Sequence, residues 1–559
     1  MSASTISAPM EDPQKLALSR AGGELLVLTH VYTGTLVLGF GALFGVLQGL
    51  ARANLIAMPD WFDYYRMLTL HGVLMALVFT TFFITGLMTY ATYTTIPRVR
   101  SLALGWLGYC VMLLGTLLAA VAIGSGNATV LYTFYTPLKA SPLFYFGATL
   151  LVAGTWLVAA DVWLNAAWFK RRNPEERIPL PAFMASATFA MWVIATLGVV
   201  AEMLILIPWS LGWTSGVDVL MTRTLFWYFG HPLVYFWIMG AYVIWYTVLP
   251  KTYGGKTFSD GLARLAFLFL LLLSTPVGLH HQFLEPGIAA GWKWLHTLTT
   301  FGVAIPSFMT AFVIFASFEV AARRAGVRGF WNTFAWLPWR DPSFAGPALG
   351  MILFILGGLG GLVNASYGMD VMVHNTMWIV GHFHVTVGGP VALTFIGAAY
   401  RLVPALTGRR LFAPKLALAQ PYLWFAGMVI MSISMHWAGL LGAPRRTSDV
   451  SYFGAAAAAE WHPLMIAAAI GGVLVATSVL MFIVVATATY VANRPADAGS
   501  RAGFEFAAAE EGAAQTPAIF DRIGAWSVVA IVLAILAYAG PISEQLGQHV
   551  YLAPGMRTW

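Results

Sequence analysis

Long stretches in which nearly every position is apolar, separated by short polar and basic breaks, run through almost the whole 559-residue chain. About thirteen of them reach the roughly 20 residues needed to cross a hydrocarbon core as helix. They predict membrane helices over 24–50, 65–95, 101–124, 143–169, 182–211, 221–249, 261–283, 293–322, 346–367, 371–403, 417–441, 462–493 and 523–541. The expected fold is therefore all-α: an integral membrane bundle filling 24–541. Residues 1–23 are expected as a cytoplasmic N-terminal segment and 542–559 as an outer C-terminal segment. The stretch 494–521, rich in Ala, Glu and Gly, is expected as a solvated inner loop.

Composition agrees with this reading. With 59% hydrophobic and 9% charged residues, the chain lacks the polar surface of a soluble fold. If the N-terminus is cytoplasmic, alternate loops collect Arg98 and Arg100; Lys170, Arg171, Arg172 and Arg177; Lys251, Lys256 and Arg264; Arg323, Arg324, Arg328 and Arg340; and Arg401, Arg409, Arg410 and Lys415. Together with the N-terminal stretch and the last inner loop, about 22 of the 30 basic residues lie on one side, the asymmetry of cytoplasmic loops. The net charge of +7 thus reads as topology and not as nucleic-acid binding. Residues 1–23 lack a signal-peptide pattern, so the first span is expected to be retained. Cys110 is the only cysteine, which excludes disulfides, iron-sulfur clusters and thiolate copper centres from this chain.

Against this apolar background stand His71, His231, His280, His281, His382 and His384. An imidazole in hydrocarbon is costly unless something compensates it, so six at ordered spacings point to buried metal centres. Each helical residue turns about 100°. His382 and His384 therefore project to nearly opposite sides of one helix and can serve two cofactors. His231 and Tyr235 share a face, with Pro232 between them. His280 and His281 diverge and reach one ion only if the helix end is irregular, which Pro276 and Gly278 allow. His71, His231 and His382 fall at similar depth below the outer ends of helices beginning near 65, 221 and 371. His30 and His436 read as hydrogen-bonded structural residues; His296, His462 and His549 read as interfacial or loop residues.

Leu-His-Gly at 70–72, His-Pro-Leu-Val-Tyr at 231–235, Thr-Pro-Val-Gly-Leu-His-His-Gln at 275–282 and Gly-His-Phe-His at 381–384 together resemble subunit I of the haem-copper oxygen reductases, closest to the B family of cytochrome c oxidases. The resemblance runs from about residue 25 to the C-terminus. It implies a thirteen-helix bundle enclosing two haems and a copper site. His71 and His384 are the implied axial ligands of a low-spin haem of b type, and His382 the ligand of a high-spin haem of a type or a variant of it. His231, His280 and His281 are the implied ligands of one copper ion. Tyr235 corresponds to the family's tyrosine covalently joined to a copper-ligating histidine, and it makes Tyr235 and His231 the catalytic pair. Arg223, Asp370, His374, Arg445 and Arg446 resemble the groups that hold haem propionates.

The implied activity is a respiratory terminal oxidase that reduces O2 to water, takes protons from the cytoplasm and pumps protons outward. Tyr235, Tyr242, Tyr246, Ser259, Ser307 and Thr310 resemble the family's hydroxyl-lined proton path. Leu233 stands where the A family has a glutamate ending a second channel. Val313 stands where the B-family relay can carry a hydroxyl, leaving water or Ser317 to fill the gap. The implied partners are a second subunit with a dinuclear copper centre, cytochrome c as donor, O2, the lipid bilayer and a small single-helix subunit. The implied location is a prokaryotic plasma membrane, multi-pass, N-terminus cytoplasmic and C-terminus outside. Glu202, Asp161 and Glu319 read equally as proton-loading groups or interhelical contacts. Two alternatives stand beside this reading: a nitric oxide reductase of the same superfamily, against which Tyr235 argues, and a non-catalytic haem or metal carrier.

Overall fold

The structure, a computed structural model, describes residues 13–96, 101–492, 494–495, 504–548 and 550–558. Residues 1–12, Arg98, Arg100, residues 496–503 of the expected inner loop and His549 lie outside the described residues. Twelve of the described helices are long and apolar enough to cross a membrane: α1 (Ala21–Arg52), α2 (Tyr64–Thr95), α3 (Ala103–Gly124), α4 (Pro142–Arg172), α5 (Leu180–Ser210), α6 (Val219–Thr252), α8 (Ala290–Arg324), α9 (Pro342–Ala365), α10 (Met377–Thr407), α11 (Pro414–Leu440), α12 (Ala458–Val491) and α13 (Ile523–Leu546). The chain is a multi-pass helical membrane protein.

The thirteenth expected span, 261–283, is not one helix. α7 (Asp260–Leu273) has 14 residues, about 21 Å of rise, short of the roughly 30 Å core. The chain then runs irregularly through Ser274–Val277 and completes the crossing with a 3-10 turn, Gly278–Gln282. Pro276 has no amide hydrogen and cannot continue the helix. Irregular backbone at this depth persists only where protein buries it and supplies its hydrogen bonds.

A second departure concerns the helix that carries His382. It begins at Met377 and not at 371, because Asn375 takes a left-handed φ of 60° and Thr376 caps the new start by accepting from Trp378 N. Tyr367–Val373 becomes a separate short helix. α2 and α10 each contain a π-helical stretch, Val73–Phe79 and His384–Gly388.

At the end of the bundle bearing the basic loops, the segment read as a solvated loop is packed from residue 504 onward. Ala509–Glu511 pairs in parallel with Thr257–Ser259, and Phe504 and Thr516 are buried. Arg264, with no exposed surface, binds Asp260 at 2.6 Å, Asp521 at 2.9 Å and the Ile178 carbonyl at 2.7 Å. That cluster ties α7, the α4–α5 loop and the start of α13 together. At the opposite end Met556–Arg557 pairs with Leu138–Lys139, so the C-terminal segment closes over the α3–α4 loop.

Candidate metal centre

A cavity of about 720 Å³ lies in the core and is lined by all six histidines. The 3-10 turn resolves the problem of adjacent His280 and His281: tighter winding turns both rings toward α6. There His231 Nδ1 lies 3.0 Å from His281 Nε2, and His231 Nε2 lies 3.0 Å from the Tyr235 hydroxyl. The three histidines each offer a nitrogen within 4.8 Å of the others. His280 Nδ1 faces the Thr300 hydroxyl at 2.9 Å, leaving Nε2 free, and His281 stacks on Trp227 with centroids 3.8 Å apart. Three neutral imidazole lone pairs converging with no carboxylate suit a borderline-soft cation such as copper.

His71 and His384 face each other as nearly parallel rings, 7° between planes and 6.2 Å between centroids. His71 Nδ1 is bonded to Gly41 O and His384 Nδ1 to Val380 O, each at 2.8 Å. A backbone carbonyl holding Nδ1 as a donor leaves Nε2 as the metal-binding lone pair. The pair therefore fits two axial ligands of one haem. His382 turns away from this pair, packs beside Trp378 at 16° between planes and has Nδ1 3.1 Å from the Thr386 hydroxyl. Its free Nε2 could ligate a haem other than the one between His71 and His384, and the two rings of the 382/384 pair meet different neighbours on opposite sides of one helix.

One end of the cavity is electropositive. Arg445 and Arg446 line it with Asp370 and His374, whose carboxylate and Nδ1 are 2.9 Å apart. Burial and the adjacent Arg446 lower the Arg445 pKa to about 10 against the opposing pull of Asp370, and two adjacent guanidiniums at the cavity wall suit propionates. Arg223, expected in this group, does not line the cavity. It pairs with Glu285 at 2.7 Å and lies over the Tyr135 ring, whose other cation contact is Arg446; a carboxylate of its own chain is in reach. Arg52, unremarked in the sequence, does line the cavity, 8% exposed, with its Nε unpartnered among the described residues.

Tyr235, Tyr242, Ser307 and Thr310 line the same cavity. Tyr242 donates to Ser307 at 3.4 Å and Tyr246 to Thr310 at 3.0 Å. Ser317 is turned to backbone, donating to Val313 O and accepting from Phe258 N. Ser259 donates to Glu511 at 3.0 Å, a carboxylate missed because its segment has no apolar period to place it. Among the acidic residues left open, Glu319 pairs with Arg323 on the surface and Asp161 accepts from Tyr93 at 2.6 Å. Glu202 is 1% exposed with Oε2 unpartnered among the described residues. His30 is buried against Thr85 and His436 bonds Ser432 O, as structural residues do. His462 is exposed, but His296, read as interfacial, is fully buried.

A helical membrane bundle whose core brings three histidines to one point beside a tyrosine, and two more into a parallel facing pair, defines a membrane oxidoreductase of the haem-copper class. The chain belongs to the family described as Cytochrome C and Quinol oxidase polypeptide I, which matches residues 25–474. It is 43% identical over 546 residues to cytochrome c oxidase subunit 1 of Thermus thermophilus, covering 94% of this chain and 96% of that one. It is 26% identical over 457 residues to cytochrome c oxidase polypeptide 1 of Halobacterium salinarum, covering 75% and 71% of the two chains. A solved structure described as a heme-copper terminal oxidase dimer superposes with a TM-score of 0.90 at 38% identity, covering 96% of this chain and 95% of that chain. The chain is thus a catalytic oxidase subunit, and the reductase and carrier alternatives fall away.

Proposed function

We propose that the chain reduces O2 to water inside the core cavity, receiving electrons from cytochrome c through a second subunit with a dinuclear copper centre. His71 and His384 hold a low-spin haem of b type, His382 a high-spin haem of a type or a variant of it, and His231, His280 and His281 one copper. The observation that carries this reading is the position of His231: one ring nitrogen faces His281 and the other the Tyr235 hydroxyl, each at 3.0 Å. When bound, the haems and copper supply electron storage and an O2-binding pair of metals.

The side chains supply position and protons. Tyr235, held one turn from His231, holds its phenolic proton at the hydroxyl facing His231 Nε2 and would deliver that proton to the O2 site, to be reprotonated through the path below it. Trp227 fixes the plane of His281, and Thr386 that of His382. Arg445, Arg446 and the Asp370–His374 pair hold the propionates. Protons enter near Ser259 and Glu511 and pass by Tyr246–Thr310 and Tyr242–Ser307 to Tyr235. Buried Leu233 offers no end group for a second channel. The basic-loop end is cytoplasmic, which places the N-terminus inside, the C-terminus outside and the enzyme in a prokaryotic plasma membrane. Proton uptake from that side is coupled to outward pumping, and a small single-helix subunit completes the assembly.

The test is a reduced-minus-oxidised spectrum of the purified enzyme, with and without carbon monoxide, alongside iron and copper analysis. Two haems, one of them binding carbon monoxide, with copper in this subunit are expected. Extra iron in place of copper would refute the copper assignment, and absence of haem would refute the whole ligand set.

A further inference from the structure

We propose that His296 and Tyr538 are positioning residues that hold the backbone of the turn carrying His280 and His281, and that Pro541 fixes the tautomer through which His296 acts. The proposal rests on the reading of His231, His280 and His281 as copper ligands.

The argument starts in α13. Pro541 lies within that helix and has no amide hydrogen, so the Ala537 carbonyl four residues earlier loses its intrahelical donor. His296 of α8 replaces it, with Nε2 3.1 Å from Ala537 O. A carbonyl only accepts, so Nε2 carries the proton and Nδ1 of the neutral ring presents a lone pair. Leu279 N donates into that lone pair at 3.2 Å. Leu279 is the residue before His280, so a missing amide hydrogen in α13 is relayed to the copper-binding turn.

Tyr538, the residue after Ala537, acts on the neighbouring amide: Gly278 N donates to its hydroxyl at 2.9 Å. His296 has no exposed surface and Tyr538 is 2% exposed, so neither contact has water as a substitute. Thr299 adds a third tie by donating to Pro276 O at 2.7 Å. Any Cβ at Gly278 would collide with Trp227 O and the Tyr538 hydroxyl, which fixes how closely α6 and α13 press on the turn. None of these contacts touches the low-spin haem ligands, which hang from Gly41 O and Val380 O.

The test uses the intact enzyme with Tyr538→Phe, His296→Leu and Pro541→Ala. Carbon monoxide released by light from the high-spin haem and caught on copper gives an infrared band that reports the geometry of the copper site. Tyr538→Phe and His296→Leu should shift or broaden that band and speed copper loss to a chelator on the order of tenfold or more, as for other residues that orient metal ligands. The low-spin haem spectrum should stay unchanged in both. Pro541→Ala returns a donor to Ala537 O and should give a smaller shift of the same kind, while His296→Gln, which keeps an acceptor and a donor, should recover part of the wild-type band. An unmoved band and unchanged copper retention in Tyr538→Phe and His296→Leu overturn the proposal. So does parallel loss of the low-spin spectrum in Tyr538→Phe, since the contact would then hold the bundle and not the turn. A wild-type enzyme without a copper-bound band overturns the copper reading itself, and the proposal with it.

Discussion

Replacing Gly45 with alanine isolates the low-spin haem site. Gly45 lies on α1 against His71, and a Cβ there would stand 2.7 Å from both Cε1 and Nδ1 of the ring. Ordinary contact begins at 3.4 Å, so the ring must move by about 0.7 Å. It cannot do so freely, because Nδ1 is held at 2.8 Å by Gly41 O one turn earlier on the same helix. Overpacking of this kind costs about 1–3 kcal/mol, and weakening the carbonyl bond adds about 1 kcal/mol. Since ~1.4 kcal/mol is tenfold in an equilibrium, low-spin haem retention should fall at least about tenfold. The assay is the reduced-minus-oxidised spectrum with and without carbon monoxide: the low-spin band should shrink or shift while the carbon-monoxide-binding haem at His382 persists. A variant with the wild-type low-spin band and reduction potential would refute the placement of His71 as an axial ligand braced by α1.

Tyr235→Phe should leave both haem spectra present and abolish O2 reduction; normal turnover in an oxygen-electrode assay would refute the role given to Tyr235. Thr310→Val removes the acceptor of the Tyr246 hydroxyl and should slow turnover by at least about tenfold without altering the haem spectra, so wild-type turnover would exclude Thr310 from the proton path. Arg264→Met strands the buried carboxylates of Asp260 and Asp521 and should destabilise the enzyme by about 3–5 kcal/mol. Thermal unfolding followed by loss of the haem spectrum checks this, and an unchanged midpoint would show the cluster to be dispensable.

The histidine pattern was legible because two strong signals coincide in it. Polarity in hydrocarbon marks each residue, and the helical period fixes where His382 and His384 must point. The remainder depended on long-range geometry that a local window does not contain. Arg223 and Arg52 are both arginines near the end of an apolar run, and only the fold brings Glu285 to the first and the cavity to the second. The stretch 494–521 has no apolar period, yet from residue 504 it packs through Phe504 and Phe506 against Tyr90, a backbone ladder to Thr257–Ser259 and ion pairs to Arg264, Arg324 and Lys251. Two isolated phenylalanines do not make an apolar run, and backbone pairing and ion pairs leave no hydrophobic signature. The helix carrying His382 starts later than its apolar run because the polar triplet His374-Asn375-Thr376 interrupts it, with Asn375 in a left-handed conformation and Thr376 as the new cap. His296 looked interfacial because its partner carbonyl at Ala537 is 241 residues away.

All six candidate ligands lie in or beside departures from regular α-helix. His71 precedes a π-helical stretch, His384 opens another with His382 just before it, His280 and His281 occupy a 3-10 turn, and His231 abuts Pro232. A regular α-helix rotates each successive residue by about 100°, so it cannot by itself aim the adjacent His280 and His281 at one ion. The 3-10 turn changes that angle locally and leaves backbone groups seeking partners. In hydrocarbon those partners must come from the protein, and for the 3-10 turn they do: Tyr538, His296 and Thr299 from α13 and α8. The helices around the cavity therefore do more than exclude lipid. They supply the hydrogen bonds that allow the turn bearing His280 and His281 to depart from the helix, so that the geometry of this turn and the packing of the bundle are fixed by the same contacts.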